Sequence, residues 1–388
     1  MFHGIKISES TAGTRALATV ATAVIGLVAT APNADAATFP LDRPVQVTDL
    51  PAAIDQAGAG GTLRTCLQAI ADEVRAPVIV VRVAPGVDAA ATNAAVIGTE
   101  TNGVKTGMQA LLAAPAQLAG LRPRIIAAPG LDTQPVTAAL AVLARKLNGF
   151  AYAAAIGANV AAAITYAANF DARELMLVYP DFIAFDPVGG ANVTSYGPAR
   201  AVALRARIDQ EQGWHKTISN VPVSGVLGLT KDIQWDLQSD ATEAALSNAA
   251  GITALVHGGD GYCFWGNRTR AGASEPLFTF ETAVRTGQVL RDTIGEGLRW
   301  AIDKPLVPSL AKDIVESINA LFRQLKAEGR IIGATASFDP AKNGQATLAA
   351  GQLSIDFDYT PVPPLEGLLV TQRITDTYLA DFAAAVAA

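Results

Sequence analysis

Charge is scarce in this chain. Only 16% of its 388 residues are Asp, Glu, Lys or Arg, against roughly 25% in an average soluble chain. The net charge is −6, with no basic tail or stripe. The clustered Lys and Arg that displace counterions from a nucleic acid are therefore missing, and no nucleic-acid partner is expected. Cysteine occurs twice, at Cys66 and Cys263. Two distant thiols make neither a metal site nor a disulfide framework, so both are expected to be free and buried. Histidine occurs three times, at His3, His215 and His257, with no pair spaced for a metal. No run reaches the ~18 apolar residues of a membrane-spanning helix. Neither a cofactor nor insertion into a membrane is expected.

Hydrophobic residues make up 50% of the chain. That is enough for a sizeable core, and the length fits two or three domains at roughly 100–200 residues each. A charge-poor surface fits a protein that covers itself with partners. Alanine runs such as Ala153-Ala154-Ala155 and Ala161-Ala162-Ala163 offer plain composition bias as the alternative. The stretch from Arg15 to Phe39, ending near Ala34-Asp35-Ala36, imitates a secretory leader with its small-residue cleavage site. Against that, fourteen residues precede Arg15 and include Glu9, and Thr19, Thr22 and Gly26 interrupt the apolar run. No signal peptide is expected. Were Ala36 a cleavage site, a secreted binding protein would be the reading.

Patterning places strands and helices in alternation. Ile5-Lys6-Ile7-Ser8 alternates as a short terminal strand. Ala23 to Val28 reads as a strand buried on both faces, and Pro51 to Gly61 as a Gly- and Ala-rich loop. Leu63 to Val74 has helical spacing, Pro77 to Val83 is a β-branched strand, and Ala84 to Ala95 reads as a link to a second unit. Strands are then expected at Arg124 to Ala128, Phe150 to Ile156, Leu175 to Tyr179 and Ile252 to His257. Helices are expected at Gly107 to Ala114, Thr137 to Leu147, Ala161 to Asn169, Pro198 to Asp209 and from Asp240 to Ala250. This alternation implies a parallel sheet covered on both faces. Phe278 to Thr282 reads as a strand and Thr286 to Ala301 as a helix. Val307 to Glu328 is the clearest amphipathic helix. Leu353 to Tyr359 alternates strictly, as in a half-exposed antiparallel strand. Beyond the stiff Pro361, Pro363 and Pro364, Leu369 to Ile374 is a last strand candidate, and Asp376 a cap for a short terminal helix.

Catalytic chemistry finds little footing. Gly98 to Thr106 nearly spells a phosphate loop, but Val104 separates Gly103 from Lys105-Thr106, and the lysine falls out of register. Ser224 lacks the first glycine of a nucleophile elbow. A triad of Ser224, His257 and Asp260 can be written, which keeps a soluble α/β hydrolase-like enzyme as the alternative function, yet no spacing supports it. Asp356 and Asp358 alternate toward solvent and lack the opposed environments that acid–base pairs need. The most unusual string is Asp260 to Thr269, dense in glycine and aromatics. It reads as a ligand loop or, better, as an irregular junction anchored by its rings.

At that string the chain resembles the sheath proteins of contractile phage tails and phage-tail-like bacteriocins, of the short P2-like type. Gly261, Tyr262, Trp265, Gly266, Asn267, Arg268 and Thr269 match the family's Gly-Tyr-x-x-Trp-Gly-Asn-Arg-Thr string. Phe2-His3-Gly4, Val24 to Leu27, Pro123-Arg124, Ala128-Pro129-Gly130, Trp300 to Asp303 and Val362-Pro363-Pro364 follow in family order.

The resemblance implies an α/β plus α+β fold: a subtilisin-like α/β central domain without peptidase residues, a C-terminal α+β domain and extended terminal β-strand arms. The corresponding divisions are 1–22 (N-terminal arm), 23–95 (first part of the body), 96–275 (central domain), 276–364 (C-terminal domain) and 365–388 (C-terminal arm). It implies a structural protein and no enzyme. The protein would polymerise as stacked, hexameric rings around an inner tube protein, meet baseplate and tail terminator proteins, and contract to drive the tube through an envelope. Its place would be a virion tail or phage-tail-like particle assembled in the host cytoplasm. Inter-subunit arm strands would be Ile5, Lys6, Ile7 and Ser8 at one end and Leu369, Val370, Gln372 and Ile374 at the other. Lys312, Arg323 and Lys326, on the non-core face of the amphipathic helix, are the candidates for facing the tube.

Overall fold

The computed structural model describes residues 17–272, 275–377, 379 and 382–387. His3 and the expected strand Ile5 to Ser8 lie outside the described residues. In chain order the body opens with β1 (Ile25–Thr30), β2 (Pro44–Val47), α1 (Leu50–Gln56), α2 (Leu63–Glu73), β3 (Val78–Val83) and α3 (Ala89–Ile97). A small hairpin, β4 (Glu100–Thr101) and β5 (Val104–Lys105), leads through a 3-10 turn at Gly107–Ala113 into α4 (Ala114–Gln117). Then come β6 (Ile125–Ala127), α5 (Gln134–Leu147), β7 (Phe150–Ala154), α6 (Val160–Ala167) and β8 (Leu175–Tyr179). They are followed by β9 (Phe182–Asp186), β10 (Ala191–Ser195), α7 (Gly197–Glu211), β11 (Gly228–Leu229), α8 (Glu243–Ala249), β12 (Ile252–Gly258) and β13 (Gly261–Trp265). The last part holds α9 (Glu281–Gly297), α10 (Pro308–Ala327), β14 (Ile331–Phe338), α11 (Gln345–Ala349), β15 (Ile355–Pro361) and α12 (Phe382–Ala387).

Among the described residues, eight strands form one sheet in the order β13-β12-β8-β7-β6-β1-β3-β2. The inner six pair in parallel and only the two edge strands run antiparallel. Alternation along each strand sends side chains to opposite faces, and both faces are buried. Ile25, Leu27, Val78, Val80, Phe150 and Tyr152 pack under α2 and α7. Val28, Ile79, Val81, Ile126, Ala153 and Leu177 pack under α5 and α6. The leader-like run around Ile25 is therefore an interior strand of the sheet. Because β1 pairs with both β3 and β6, the sheet is continuous across residues 95 and 96.

A further core joins α9, α10 and β14, with Leu290, Ile318, Leu321, Phe322, Leu325 and Ile331 at its centre. There β14 and β15 make a two-stranded antiparallel sheet.

Four sequence expectations are corrected. Pro51 to Gly61 begins as α1, because the Asp49 carboxylate caps Ala52 N at 3.2 Å and Pro51 is tolerated in the first turn. Ala84 to Ala95 holds α3, capped by Asp88 on Ala91 N at 2.7 Å. Phe278 to Thr282 is no strand: a 3-10 turn at Pro276–Phe278 precedes the start of α9 at Glu281. Residues 261–265 are the regular edge strand β13, where an irregular junction was expected.

Candidate functional site

The Gly261 to Thr269 string is a junction. Its first half, β13, closes one edge of the large sheet. Phe264 is fully buried and meets the Phe182 ring edge-on at 5.6 Å, while Cys263 is buried beside Ala254 and Val256. Tyr262 packs on His257 of the neighbouring strand with ring centres 4.7 Å apart. The outer edge of β13 is itself covered. Asn220 N donates to Phe264 O at 2.8 Å and Val223 N to Tyr262 O at 2.9 Å. This edge is closed to another chain.

The second half ties the sheet to α9 and to the C-terminal tail. Trp265 stands edge-on against Trp235, centres 5.1 Å apart. Gly266 has φ near +137°, and a Cβ there would lie 2.3 Å from Asn248 Oδ1 and 3.0 Å from Thr253 Cα. Only glycine fits such a backbone and such a space. The Asn267 carbonyl accepts from Glu281 N at 3.1 Å, at the start of α9. Thr269 donates from Oγ1 to Phe278 O and from N to Thr279 O, both at 2.7 Å. Arg268 reaches the other way. Its Nε and Nη2 donate to the two carboxylate oxygens of Glu366, each at 2.7 Å, just past the proline spacer. That hydrogen bonding pushes the guanidinium pKa further up. Lys216, Asn220, Asn248, Trp265, Pro363 and Glu366 help line a groove of about 860 Å³ at this meeting point.

From Val362 to Asp376 the backbone carries no secondary structure, so the strand expected at Leu369 to Ile374 is not formed within the single chain, where it has no neighbouring strand to pair with. Leu369, Val370 and Ile374 are 99%, 81% and 93% exposed, and Gln372 is exposed with them. On α10, Lys312, Arg323 and Lys326 are all exposed. Arg323 pairs with Glu316 at 2.5 Å.

The hydrolase residues sit otherwise than a triad needs. The Ser224 hydroxyl accepts from Arg207 Nη1 at 3.3 Å, and its amide donates to Glu73. His257 is exposed and its ring contact is Tyr262. Among the described residues no hydrogen bond joins Ser224, His257 and Asp260. Lys105 of the phosphate-loop imitation is engaged by Glu100 at 2.6 Å. At the C-terminal ends of the parallel strands, where open α/β sheets place ligands, Tyr196 crowds Gly130. Beside them Asp132 is buried, and loss of solvent pushes its carboxyl up to about 7 against the opposing hydrogen bond from Ala154 N. Cys66 and Cys263 are free and buried.

Sequence reasoning found the 261–269 string by its composition. It missed Glu366, whose signal was present: a lone carboxylate following the Val362-Pro363-Pro364 spacer.

Comparison with known proteins bears on the whole chain. A family model described as the phage tail sheath protein central domain matches residues 103–270, and one described as the phage tail sheath C-terminal domain matches 273–375. The tail sheath protein of Escherichia phage P2 is 48% identical over 392 aligned positions, covering 99% of this chain and 98% of that protein. The major tail sheath protein of Serratia phage KSP20 is 45% identical, covering 97% and 96%. Among solved structures, the contracted sheath complex of the extracellular contractile injection system PVC superposes with a TM-score of 0.72 at 16% identity, covering 98% and 99%. The contracted helical sheath of the anti-feeding prophage gives 0.70 at 17%, covering 96% and 98%. At such identities these structures speak for the fold alone.

Proposed function

This chain belongs to the phage tail sheath protein family, and from that premise we propose that it is the structural subunit of a contractile tail sheath that polymerises helically around an inner tube. It works in a virion tail or phage-tail-like particle assembled in the host cytoplasm. Its partners are further copies of itself in stacked hexameric rings, the tube protein, and the baseplate and tail terminator proteins. The central α/β part has subtilisin-like topology, and the joints between subunits are terminal strands: Ile5 to Ser8, and the tail through Leu369, Val370, Gln372 and Ile374. Contraction draws on the difference between two packings of the same subunits.

One observation carries this reading: an unsupported apolar tail on a molecule that also has an unfinished sheet. Leaving Leu369, Val370 and Ile374 in water forgoes roughly 1.5–3 kcal/mol each relative to burial. The two-stranded sheet β14–β15 packs one face on α10 and, among the described residues, has no third strand on either edge. Its two edges differ. The Asn319 side chain accepts from Ala336 N at 2.8 Å and donates to Ala336 O at 2.9 Å, so Ala336 faces away from β15. Its ladder partner Phe357 then belongs to a non-hydrogen-bonded pair and turns its own N–H and C=O to the other edge. That β15 edge is the acceptor for an incoming arm. Main-chain pairing of this kind adds about 0.5–1.5 kcal/mol per hydrogen bond, so a few bonds keep subunits linked while their bodies rotate.

Negative-stain microscopy of truncated chains tests the reading. Chains lacking residues 365–388, or residues 1–12, are expected to stay folded and monomeric where the full chain makes striated tubes. Tubes from either truncated chain would refute the arm model.

A further inference from the structure

Within Trp265 to Thr269, four residues work inward. Trp265 stands edge-on against Trp235, Gly266 fits against Asn248, Asn267 meets α9 through its carbonyl, and Thr269 holds Phe278 and Thr279. Arg268 is the exception. Its side chain leaves the body and grips Glu366, 98 positions later, through two bonds of 2.7 Å. A planar guanidinium facing both oxygens of a carboxylate sets orientation as well as distance. On the tail side, Val362, Pro363 and Pro364 lie in the same groove as Trp265 to Arg268. Beyond Glu366 the structure shows irregular, exposed chain up to Thr377. Among the described residues, Glu366 is thus the last point where an ion pair ties the tail to the body.

We propose that Arg268 is the positioning residue for the C-terminal arm: by clasping Glu366 in the groove it fixes the point and direction from which the arm leaves each subunit. The clasp is built to release. Its side chains are 41% and 37% exposed, and an ion pair at such exposure shifts an equilibrium by only about two- to fivefold and weakens with salt. Aiming the arm in this way narrows the volume it searches before meeting an acceptor, at no new contact with the partner. The inference rests on reading 365–388 as an inter-subunit arm, but the clasp is measurable without assembly.

The test is a nitroxide label at Leu368→Cys in the full chain; the buried Cys66 and Cys263 have thiol pKa values raised by burial and stay unlabelled. Arg268→Gln, Arg268→Glu and Glu366→Gln should each increase the mobile fraction of the label by about two- to fivefold and slow tube growth in parallel. The swapped pair Arg268→Glu with Glu366→Arg should restore both. Arg268→Lys should fall between, since it keeps the charge and loses the two-pronged geometry. Glu366 lies on the tail, so Glu366→Gln reports even if a change at Arg268 unfolds the body. Unchanged label mobility in Glu366→Gln, or no recovery in the swapped pair, overturns the clasp. Tubes formed by a chain lacking 365–388 would instead overturn the arm reading and leave the label result standing.

Discussion

The Tyr152 hydroxyl on β7 donates to Glu281 Oε1 at the first residue of α9, 2.5 Å away across 129 positions of sequence. Glu281 is shared. Arg205 Nη1 lies 3.4 Å from the same oxygen and Arg205 Nη2 lies 2.9 Å from Asp209, which also receives Arg285. Two guanidinium groups and two carboxylates thus balance in a site with almost no solvent. Burial opposes the Arg285 charge, but Asp209 and the other neighbours outweigh it and hold its pKa up.

Glu281→Gln should destabilise the subunit strongly. It keeps the volume but leaves a net positive charge among Arg205, Arg285 and Asp209, and breaking a buried pair costs about 3–5 kcal/mol. Urea unfolding of the monomer reads this directly. A loss below about 1 kcal/mol would mean that water reaches the cluster.

Asp132 gives a pH-dependent prediction. Its folded pKa is raised to about 7 from an ordinary 3.8, chiefly by burial. The folded state therefore favours the protonated acid. That advantage is full below about pH 4, is lost as pH rises toward 7, and the resulting penalty stays constant above it. Asp132→Asn removes the penalty and keeps an oxygen for Ala154 N. It should stabilise the chain by a few kcal/mol at pH 8, at about 1.4 kcal/mol per pK unit, and give no gain at pH 4. Thermal melts of both proteins across that range decide it; an equal gain at both ends would exclude the titration.

Gly266→Ala should loosen the junction without touching the clasp. The added methyl meets Asn248 Oδ1 and the Thr253 backbone on a left-handed residue. Strain of that kind costs about 1–3 kcal/mol. Hydrogen exchange should show the loss at β12 and in the first turn of α9; a wild-type pattern there would show that the backbone relaxes freely.

The sheet was legible where local pattern and tertiary role agree. Leu175 to Tyr179 is five apolar residues stopped by a proline, and it is β8 over the same residues. The helix around Ile318 and Phe322 announced its buried face by spacing alone. β14 went unread because its middle, Gly333 to Ser337, is built of small residues, and its strand character comes from pairing with β15 and packing on α10. Phe278 to Thr282 misled in the opposite sense. Its aromatic and β-branched residues favour a strand, but Glu281 is committed to Tyr152 and Arg205 as a first-turn residue of α9. Those partners lie 129 and 76 positions away, beyond any local pattern. The same separation hid the bond from Arg268 to Glu366.

The expectation that Lys312, Arg323 and Lys326 of α10 face the tube can be tested by charge reversal. Leu310, Ile314, Leu321 and Leu325 turn one face of the helix into the core, and Lys312, Arg323 and Lys326 stand in solvent. Arg323 is partly neutralised by Glu316; Lys312 and Lys326 are in no ion pair among the described residues. Reversing all three to Glu changes the field of that face by six charges per subunit without disturbing a buried atom. Each exposed pair is worth about 0.2–1 kcal/mol, so one subunit would hardly register the change, but the proposed ring of identical subunits would repeat it around the tube. The variant should still form sheath-like tubes alone and should fail to co-sediment with purified inner tubes. Wild-type co-sedimentation should weaken as salt shortens the Debye length below about 8 Å. Undiminished co-sedimentation of the variant would move the tube contact off α10.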